Sequence, residues 1–331
     1  MSSIVLGVGA SHSTLMNTHW DRVVHRERAE RFRDALGAAR DALAAAEPDV
    51  VIIVGSNHFR GLWLDLVPAF TIGVGEVIAS GESGTPKGPQ KVDPELAGHL
   101  AERLVADGID VAFSARLQID HGQSHAIQWV LGGLDLPIVP LVVNVFAAPL
   151  PTLARCAQVG AALRRAVASL PGGRRAVVLG SGGLSHRLPW PERWQDPHGD
   201  DEAFMVEAWL EGRGDWSRFD PRRREIILAA ESCISPEFDR EFLAALEAGG
   251  LAAYTDWTTE RLGERAGNGG QEIRTWLTMA AAVGFAPGRT LAYEELTEWL
   301  TGMAAAVIDP TVEAGTTAGA ANETAIREAG A

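Results

Sequence analysis

The sequence predicts an α/β protein with one central, mostly parallel or mixed sheet flanked by helices. Two observations carry this. Short, fully apolar runs alternate with longer stretches of helical periodicity over the first 180 or so residues, and several of those runs end in glycine followed by a polar loop. A third adds a function: His12 in G-A-S-H-S, His58 in G-S-N-H-F and His186 in V-V-L-G-S-G-G-L-S-H each follow such a run, and His121 stands in I-D-H-G between a strand and a helix. A parallel sheet gathers the C-terminal ends of its strands along one edge, where α/β proteins hold ligands. Four histidines sent to one edge point to a metal site with acid–base groups beside it.

The elements follow in order. Ile4–Val8 and Val50–Val54 read as buried strands. Between them, Asp21–Ala45 is helical, its apolar positions Val24, Phe32, Ala35, Leu36, Ala39 and Leu43 falling mostly at helical spacing. Leu62–Val67 and Phe70–Val74, parted by Pro68-Ala69, suggest an edge hairpin. Gly81–Gln90 reads as a loop, and Asp93-Pro94 as a helix start with an N-cap aspartate and a first-turn proline. Ile109–Phe113, Ile138–Val145 and Ala176–Leu179 continue the strands, with helices at Ser124–Leu131 and Thr152–Ser169. After about Gly199 the pattern becomes helical: Asp200–Glu211, Pro221–Glu231, Glu237–Ala248, Gln271–Val283 and Tyr293–Ala306. This helical C-terminal part extends the same sheet, giving one domain over residues 1–308. Residues 309–331, rich in Ala, Gly, Thr and Glu, read as a disordered tail.

Composition excludes several classes. The 331 residues are 46% hydrophobic and 22% charged, ordinary for a globular chain with a sizeable core. A formal charge of −14, from 29 basic and 43 acidic residues, repels phosphate backbones, so nucleic acid is not a partner. Lys87 and Lys91 are the lysines and every other basic residue is arginine, which fits a GC-rich coding sequence. No apolar run is long enough to cross a bilayer, and the N-terminus lacks a signal-peptide pattern. Cys156 and Cys233 are too few for a disulfide scaffold and are both expected in the core. A cytoplasmic protein is expected.

A non-haem ferrous site needs two imidazoles and a carboxylate on one face. His12 and His58 suit the imidazoles. Among many acids, Glu272 stands out in G-N-G-G-Q-E-I-R-T-W-L, where glycines permit close approach and a helix opens at Gln271-Glu272. It flanks the apolar stripe of Ile273, Trp276, Leu277 and Ala280, although a first-turn glutamate favoured by the helix dipole explains it as well. Asp120 beside His121 is placed to tune or orient it, although a solvated turn aspartate explains it better, and Ser185 reads as a hydrogen-bonding neighbour without the surroundings of a nucleophile. His25 and His99 fall in charged helical stretches and read as solvated; His19 and His198 have no assigned role.

These residues resemble the class III extradiol ring-cleaving dioxygenases, the LigB-type superfamily that includes the protocatechuate 4,5-dioxygenase β subunit, and within it the 2,3-dihydroxyphenylpropionate 1,2-dioxygenase group. The resemblance runs from about Ile4 to Pro310. It is carried by Ser11–Ser13, Asn57–Gly61, Asp65–Gly75, Gln118–Gly122, Leu131–Asp135, Gly180–His186 and Gln271–Trp276. It implies Fe(II) held by His12, His58 and Glu272, with His186 as the base that deprotonates a catechol and His121 as the acid that protonates later species. It also implies a catecholic substrate, O2, no organic cofactor and a homo-oligomer. Arg60, Arg187 and the Gln123-Ser124-His125 stretch depart from the group's pattern, so Arg60, Arg187 and His125 become candidate substrate contacts for a catechol with an acidic or polar side chain. Aminophenol- or gallate-type cleavage, a non-catalytic redox or signalling relative and a zinc hydrolase are the alternatives; retention of both His121 and His186 argues against the non-catalytic one.

Overall fold

The computed structural model describes residues 1–311; the expected tail lies, beyond Thr311, outside the described residues. Among the described residues nine strands form one sheet: β1 (Ser3–Ala10), β2 (Val50–Ser56), β3 (Phe70–Ser80), β4 (Lys87–Pro89), β5 (Ala112–Ile119), β6 (Ile138–Val143), β7 (Arg175–Ser181), β8 (Gly288–Leu296) and β9 (Thr301–Ile308). The helices are α1 (Leu15–Thr18), α2 (Arg26–Ala45), α3 (Pro94–Ala106), α4 (His121–Ala126), α5 (Leu153–Ser169), α6 (Gly199–Glu211), α7 (Trp216–Ala229), α8 (Pro236–Glu247), α9 (Thr259–Ala266) and α10 (Ile273–Ala282).

The strands lie in the order β4-β3-β6-β2-β7-β1-β9-β8, with β5 also paired to β3. The four central strands β6, β2, β7 and β1 are mutually parallel. Their middles are apolar and buried because both faces are covered. Val50, Ile52 and Val54 face one core with α3, α5 and α10, while Val51 and Ile53 face another with α2. Local chemistry sets the helix ends as read from sequence: Asp93 accepts from the Leu96 amide at 3.0 Å, and Thr152 from that of Arg155 at 3.1 Å.

Several expectations are corrected. Tyr293–Ala306 is not a helix but most of the antiparallel β8–β9 hairpin, with β9 pairing β1. Its Ala, Glu and Leu favour helix locally, yet every residue of β9 is buried, and a strand between two cores has to join the ladder. Leu62–Val67 forms turns, so there is no edge hairpin, and β3 instead runs on to Ser80 between β4 and β6. The strand expected at Ile109–Phe113 begins at Ala112 and extends to Ile119. The first long helix starts at Arg26, which leaves Val24 exposed. Pro221 lies inside α7 and does not begin it. Cys156 is buried as expected, but Cys233 is exposed. His99, half-buried, bridges α3 to α5 through Ala166 O and Ser169 Oγ, both at 3.0 Å.

One strand reaches the functional edge by another route. β3 runs antiparallel to β6, and β5 runs parallel to β3, so β5 lies outside the parallel set. The β3–β5 register shifts between Gly73 and Glu76, and such a bulge bends a strand pair. Gly75 permits it, since a Cβ there would lie 2.4 Å from Ala115 O. Beyond the bulge, Val77, Ala79, Leu117 and Ile119 join the core that contains α2.

Helix α10 is seated on α5 through Gly160, where a Cβ would lie 2.1 Å from the Thr278 carbonyl oxygen. That neighbour is backbone and cannot swing away. Gly160→Ala is expected to cost about 1–3 kcal/mol by overpacking, read as a lower urea midpoint at unchanged slope; an unchanged midpoint would show that the two helices can separate freely.

Candidate active site

Three of the central strands, β1, β2 and β7, lead into loops that carry groups of the site. After β1, the Ser11 amide donates to Ala304 O at 2.8 Å and its hydroxyl accepts from Ala304 N at 3.0 Å, which fixes the chain entering His12. His12 Nδ1 lies 3.0 Å from Ser181 Oγ at the end of β7. After β2, the His58 amide donates to Asp120 Oδ2 at 2.6 Å, and its Nδ1 lies 3.4 Å from Asp120 Oδ1. Asp120 is therefore a buried anchor and not the solvated turn residue expected; it also caps α4 by accepting from the Gly122 amide at 2.9 Å.

Glu272 ends a 3₁₀ turn, Gly269–Glu272, that leads into α10. Its carboxylate is buried and accepts from Ser56 Oγ at 2.5 Å and the Gly183 amide at 2.6 Å. The same Oε1 stands 3.4 Å from His12 Nε2 and 3.3 Å from His58 Nε2. Glycines make this approach possible: a Cβ at Gly182 would lie 2.9 Å from the Glu272 Cβ, and one at Gly183 would lie 3.1 Å from its Oε2.

Those spacings fit a metal. Two donors each about 2.1 Å from one cation stand roughly 3.0–3.4 Å apart at octahedral or tetrahedral angles. His12 Nε2 is buried with no hydrogen-bond partner among the described residues, an orphan that a cation would satisfy. Nitrogens of His12, His58 and His121 also lie within 4.8 Å of one another, so His121 borders the same point.

The remaining histidines are held from behind. His121 Nδ1 lies 2.7 Å from Glu82 Oε1, which also accepts its backbone amide at 2.8 Å. The ring packs against His58, centroids 3.8 Å apart. Nothing in the sequence marked Glu82, which lies in the Gly/Ser-rich stretch expected to be a loop. His186 Nδ1 donates to Leu184 O at 2.9 Å, and its Nε2 faces Glu272 Oε2 at 3.9 Å. Gly269 makes room for it, since a Cβ there would sit 2.1 Å from the ring. His125 stacks on His12, centroids 5.8 Å apart, with both nitrogens buried and unpartnered among the described residues.

The residues from 7 to 307 match the family described as the catalytic LigB subunit of aromatic ring-opening dioxygenase. The chain belongs to the LigB family. Two curated relatives bear the name 2,3-dihydroxyphenylpropionate/2,3-dihydroxicinnamic acid 1,2-dioxygenase. The one from Rhodococcus jostii is 33% identical over 88% of this chain and 94% of its own. The one from Escherichia coli K12 is 32% identical over 84% and 90%. Membership makes this LigB protein an extradiol ring-cleaving dioxygenase.

The electrostatics of the LigB site follow from burial opposed by close charges. Burial would lower His58, but hydrogen bonds to Asp120 and Glu272 and their charges lift it to about 9. Burial would raise Glu272, yet His12 and His58 hold it well below the usual carboxylate range. Burial, then the charge on His58, push His121 down to about 4 against the pull of Glu82. Burial also lowers His186, and lowers His125 strongly. A metal on these ligands would replace the proton on His58.

A cavity of about 50 Å3 is lined by His12, His58, His121, His186 and Glu272, with Leu188, Trp190, Arg223 and Ile227 on its other walls. A benzene-sized ligand occupies a cavity nearer ~150 Å3, so lining side chains have to move aside to admit a ring. Leu188 and Trp190 also line a neighbouring cleft of about 600 Å3, together with Arg187 and His198. Arg187 is exposed, paired with Glu192 at 3.5 Å, and lies outside the histidine cavity. Arg60 is buried behind it, 3.3 Å from Glu82 and over the Trp216 ring. Arg223, which reaches the cavity, was not singled out in the sequence. His19 is bonded to Thr18, and His25 is exposed at the start of α2.

The loop carrying His186 is tied down through Ser185, whose amide and hydroxyl both donate to Asp239 at 2.8 Å; the Tyr293 hydroxyl donates to the same carboxyl at 2.8 Å. Burial raises the Asp239 carboxyl to about 6 against these donors. A carboxyl raised in the folded state is stabilising while protonated, and that advantage is lost as pH rises from about 4 through 6. The stability of the wild type relative to Asp239→Asn is therefore expected to fall by roughly 2–3 kcal/mol between pH 4 and 7. Urea unfolding at both pH values measures it, and a pH-independent difference would contradict it.

Proposed function

We propose that this LigB enzyme opens the ring of a catechol bearing a short acidic side chain, using Fe(II) held by His12, His58 and Glu272. The observation that carries the reading is a single carboxylate oxygen shared at 3.3–3.4 Å by two imidazole nitrogens, with two further histidines alongside. Glu272 is preferred to His121 as third ligand because an anion offsets the charge of a divalent cation and a third imidazole does not. Bound there, ferrous iron would acidify the catechol hydroxyls and let electron density pass from ring to dioxygen.

The chain's own groups handle the protons. His186 Nδ1–H donates a hydrogen bond to Leu184 O, so its Nε2 carries the free lone pair. Its lowered pKa keeps it neutral near pH 7, ready to accept a hydroxyl proton. His121 is likewise neutral at rest. It takes up the proton of the second catechol hydroxyl, as an imidazolium stabilised by Glu82, and returns it as the acid to an oxygen of the opening ring. A wall of Leu188, Trp190 and Ile227 keeps water away from the reacting ring. The product is a ring-opened semialdehyde or oxo-dienoic acid. The acidic side chain follows the names of the two relatives. Two unpaired cysteines, one of them exposed, suit a cytoplasmic setting, and assembly as a homo-oligomer belongs to the same reading; among the described residues no helix is long and apolar enough to cross a membrane.

Anaerobic loading with Fe(II), then oxygen with 2,3-dihydroxyphenylpropionate, catechol, 2-aminophenol and gallate, is expected to give a yellow product fastest with the first. Colourless mixtures throughout, despite bound iron, would overturn ring cleavage, and activity with zinc alone would favour hydrolysis. His121→Ala and His186→Gln are each expected to lower kcat by about 10²–10⁴-fold; full turnover in either removes its role.

Asp120→Asn tests the metal site separately. Loss of the carboxylate behind His58 is expected to weaken metal binding by about 10–100-fold. Competition with a chelator reads this directly, and unchanged affinity would separate His58 from the metal.

A further inference from the structure

We propose that Arg223 forms an anion subsite in the histidine cavity, where its guanidinium receives the carboxylate of the substrate's side chain. This rests on the ring-cleavage reading for the identity of the substrate, but its evidence is independent of the metal.

Among the described residues, Arg223 is the only arginine or lysine lining the cavity that holds His12, His58, His121, His186 and Glu272. It is only 8% exposed, and its Nε has no hydrogen-bond partner among the described residues. A buried guanidinium donor left unmatched is costly, so such a group calls for an acceptor. The nearby carboxylates are already committed. Asp220 is divided, one oxygen 3.1 Å from Arg223 Nη2 and the other 2.6 Å from Arg224 Nε. Glu82 serves Arg60 at 3.3 Å and His121 at 2.7 Å. Arg60 and Glu82 thus cancel, while Asp220, divided between Arg223 at the cavity wall and the more exposed Arg224, cannot neutralise both.

The packing reinforces the case. Arg60 and Arg223 both lie against the Trp216 ring, Arg223 at 5.3 Å from its centre. Two guanidiniums beside one indole repel each other, and Arg223 contributes to the lowering of Arg60 to about 9, second to burial itself. An incoming anion would relieve that repulsion. Ile227 lies one turn beyond Arg223 on α7 and lines the same cavity with Leu188 and Trp190. The walls therefore offer proton-transfer groups for a diol, apolar surface for a short carbon chain and a fork of donors for a terminal carboxylate. Arg187, outside the cavity, and Arg60, neutralised behind it, do not meet these conditions.

The test begins with 3-phenylpropionate, which has the side chain but no diol, titrated calorimetrically into the full chain without added metal. Arg223→Met, which keeps the length of the stem, is expected to weaken its binding by about 10–100-fold. Equal affinity in the two proteins, or no binding to the wild type at millimolar concentration, would overturn the subsite. With iron-loaded enzyme, the ratio of kcat/KM for 2,3-dihydroxyphenylpropionate over 3-propylcatechol is expected to fall by the same factor. An equal loss on both substrates, or a fall of the ratio in Arg187→Ala and not in Arg223→Met, would also overturn it. Should Arg223→Met fail to fold, Arg223→Gln carries the same expectations. A wild type inactive on both catechols would instead remove the ring-cleavage reading, and the phenylpropionate titration would still decide Arg223.

Discussion

A carboxylate buried to within 1% of full enclosure is the constraint on which the site depends. Glu272 can be ionised there only because Ser56 from β2 and the Gly183 amide after β7 donate to it while His12 and His58 face it. Removing any of these would leave charge without compensation, a large penalty in so dry a place. The close contacts of Gly182, Gly183 and Gly160 then follow, since each lets backbone or α10 come near enough to hold that carboxylate.

The same logic is repeated one layer further out. Each histidine facing the cavity has a partner that fixes its orientation: Ser181 for His12, Asp120 for His58, Glu82 for His121 and Leu184 O for His186. The backing groups differ in charge, and so do their effects. Asp120, Glu82 and the Leu184 carbonyl all favour a protonated ring, but only at His58, faced by both Asp120 and Glu272, do they outweigh burial; at His121 and His186 burial prevails. Groups of one chemical type thereby acquire different proton affinities within a few ångströms, which is what acid–base work on one substrate requires.

Much of this was legible in the sequence, and the failures share a cause. Apolar strands ending in glycine and a histidine mark the parallel core, because local pattern and tertiary role agree at Ile4–Val8, Val50–Val54 and Ala176–Leu179. The structure brings together His12, His58, His121, His186 and Glu272, all singled out by local motifs. It separates Arg187 from them, since adjacency to His186 in sequence says nothing of side-chain direction at the end of a motif. Glu82, Asp120 and Arg223 owe their importance to partners distant in sequence. Glu82 sits in a stretch with every mark of a loop, and Arg223 in a run of three arginines within a helical stretch, where nothing local sets it apart from its neighbours. The β8–β9 hairpin was missed because its residues prefer helix, and only complete burial between two cores overrides that preference.

The bond between Ser56 and Glu272 spans 216 positions of sequence, and that between His12 and Ser181 spans 169. No fragment of the chain can assemble this arrangement, so the donors come together only when nearly all of the sheet has closed. Contacts of such separation slow folding, because the chain entropy of closing long loops is lost before they form. They also make any bound cation a clasp on the entire molecule. A ligand that recognises only the folded form adds stability in proportion to the logarithm of its excess, about 2.7 kcal/mol at a hundredfold over its dissociation constant. Supply of the metal would then govern how long the protein survives as well as how fast it turns over.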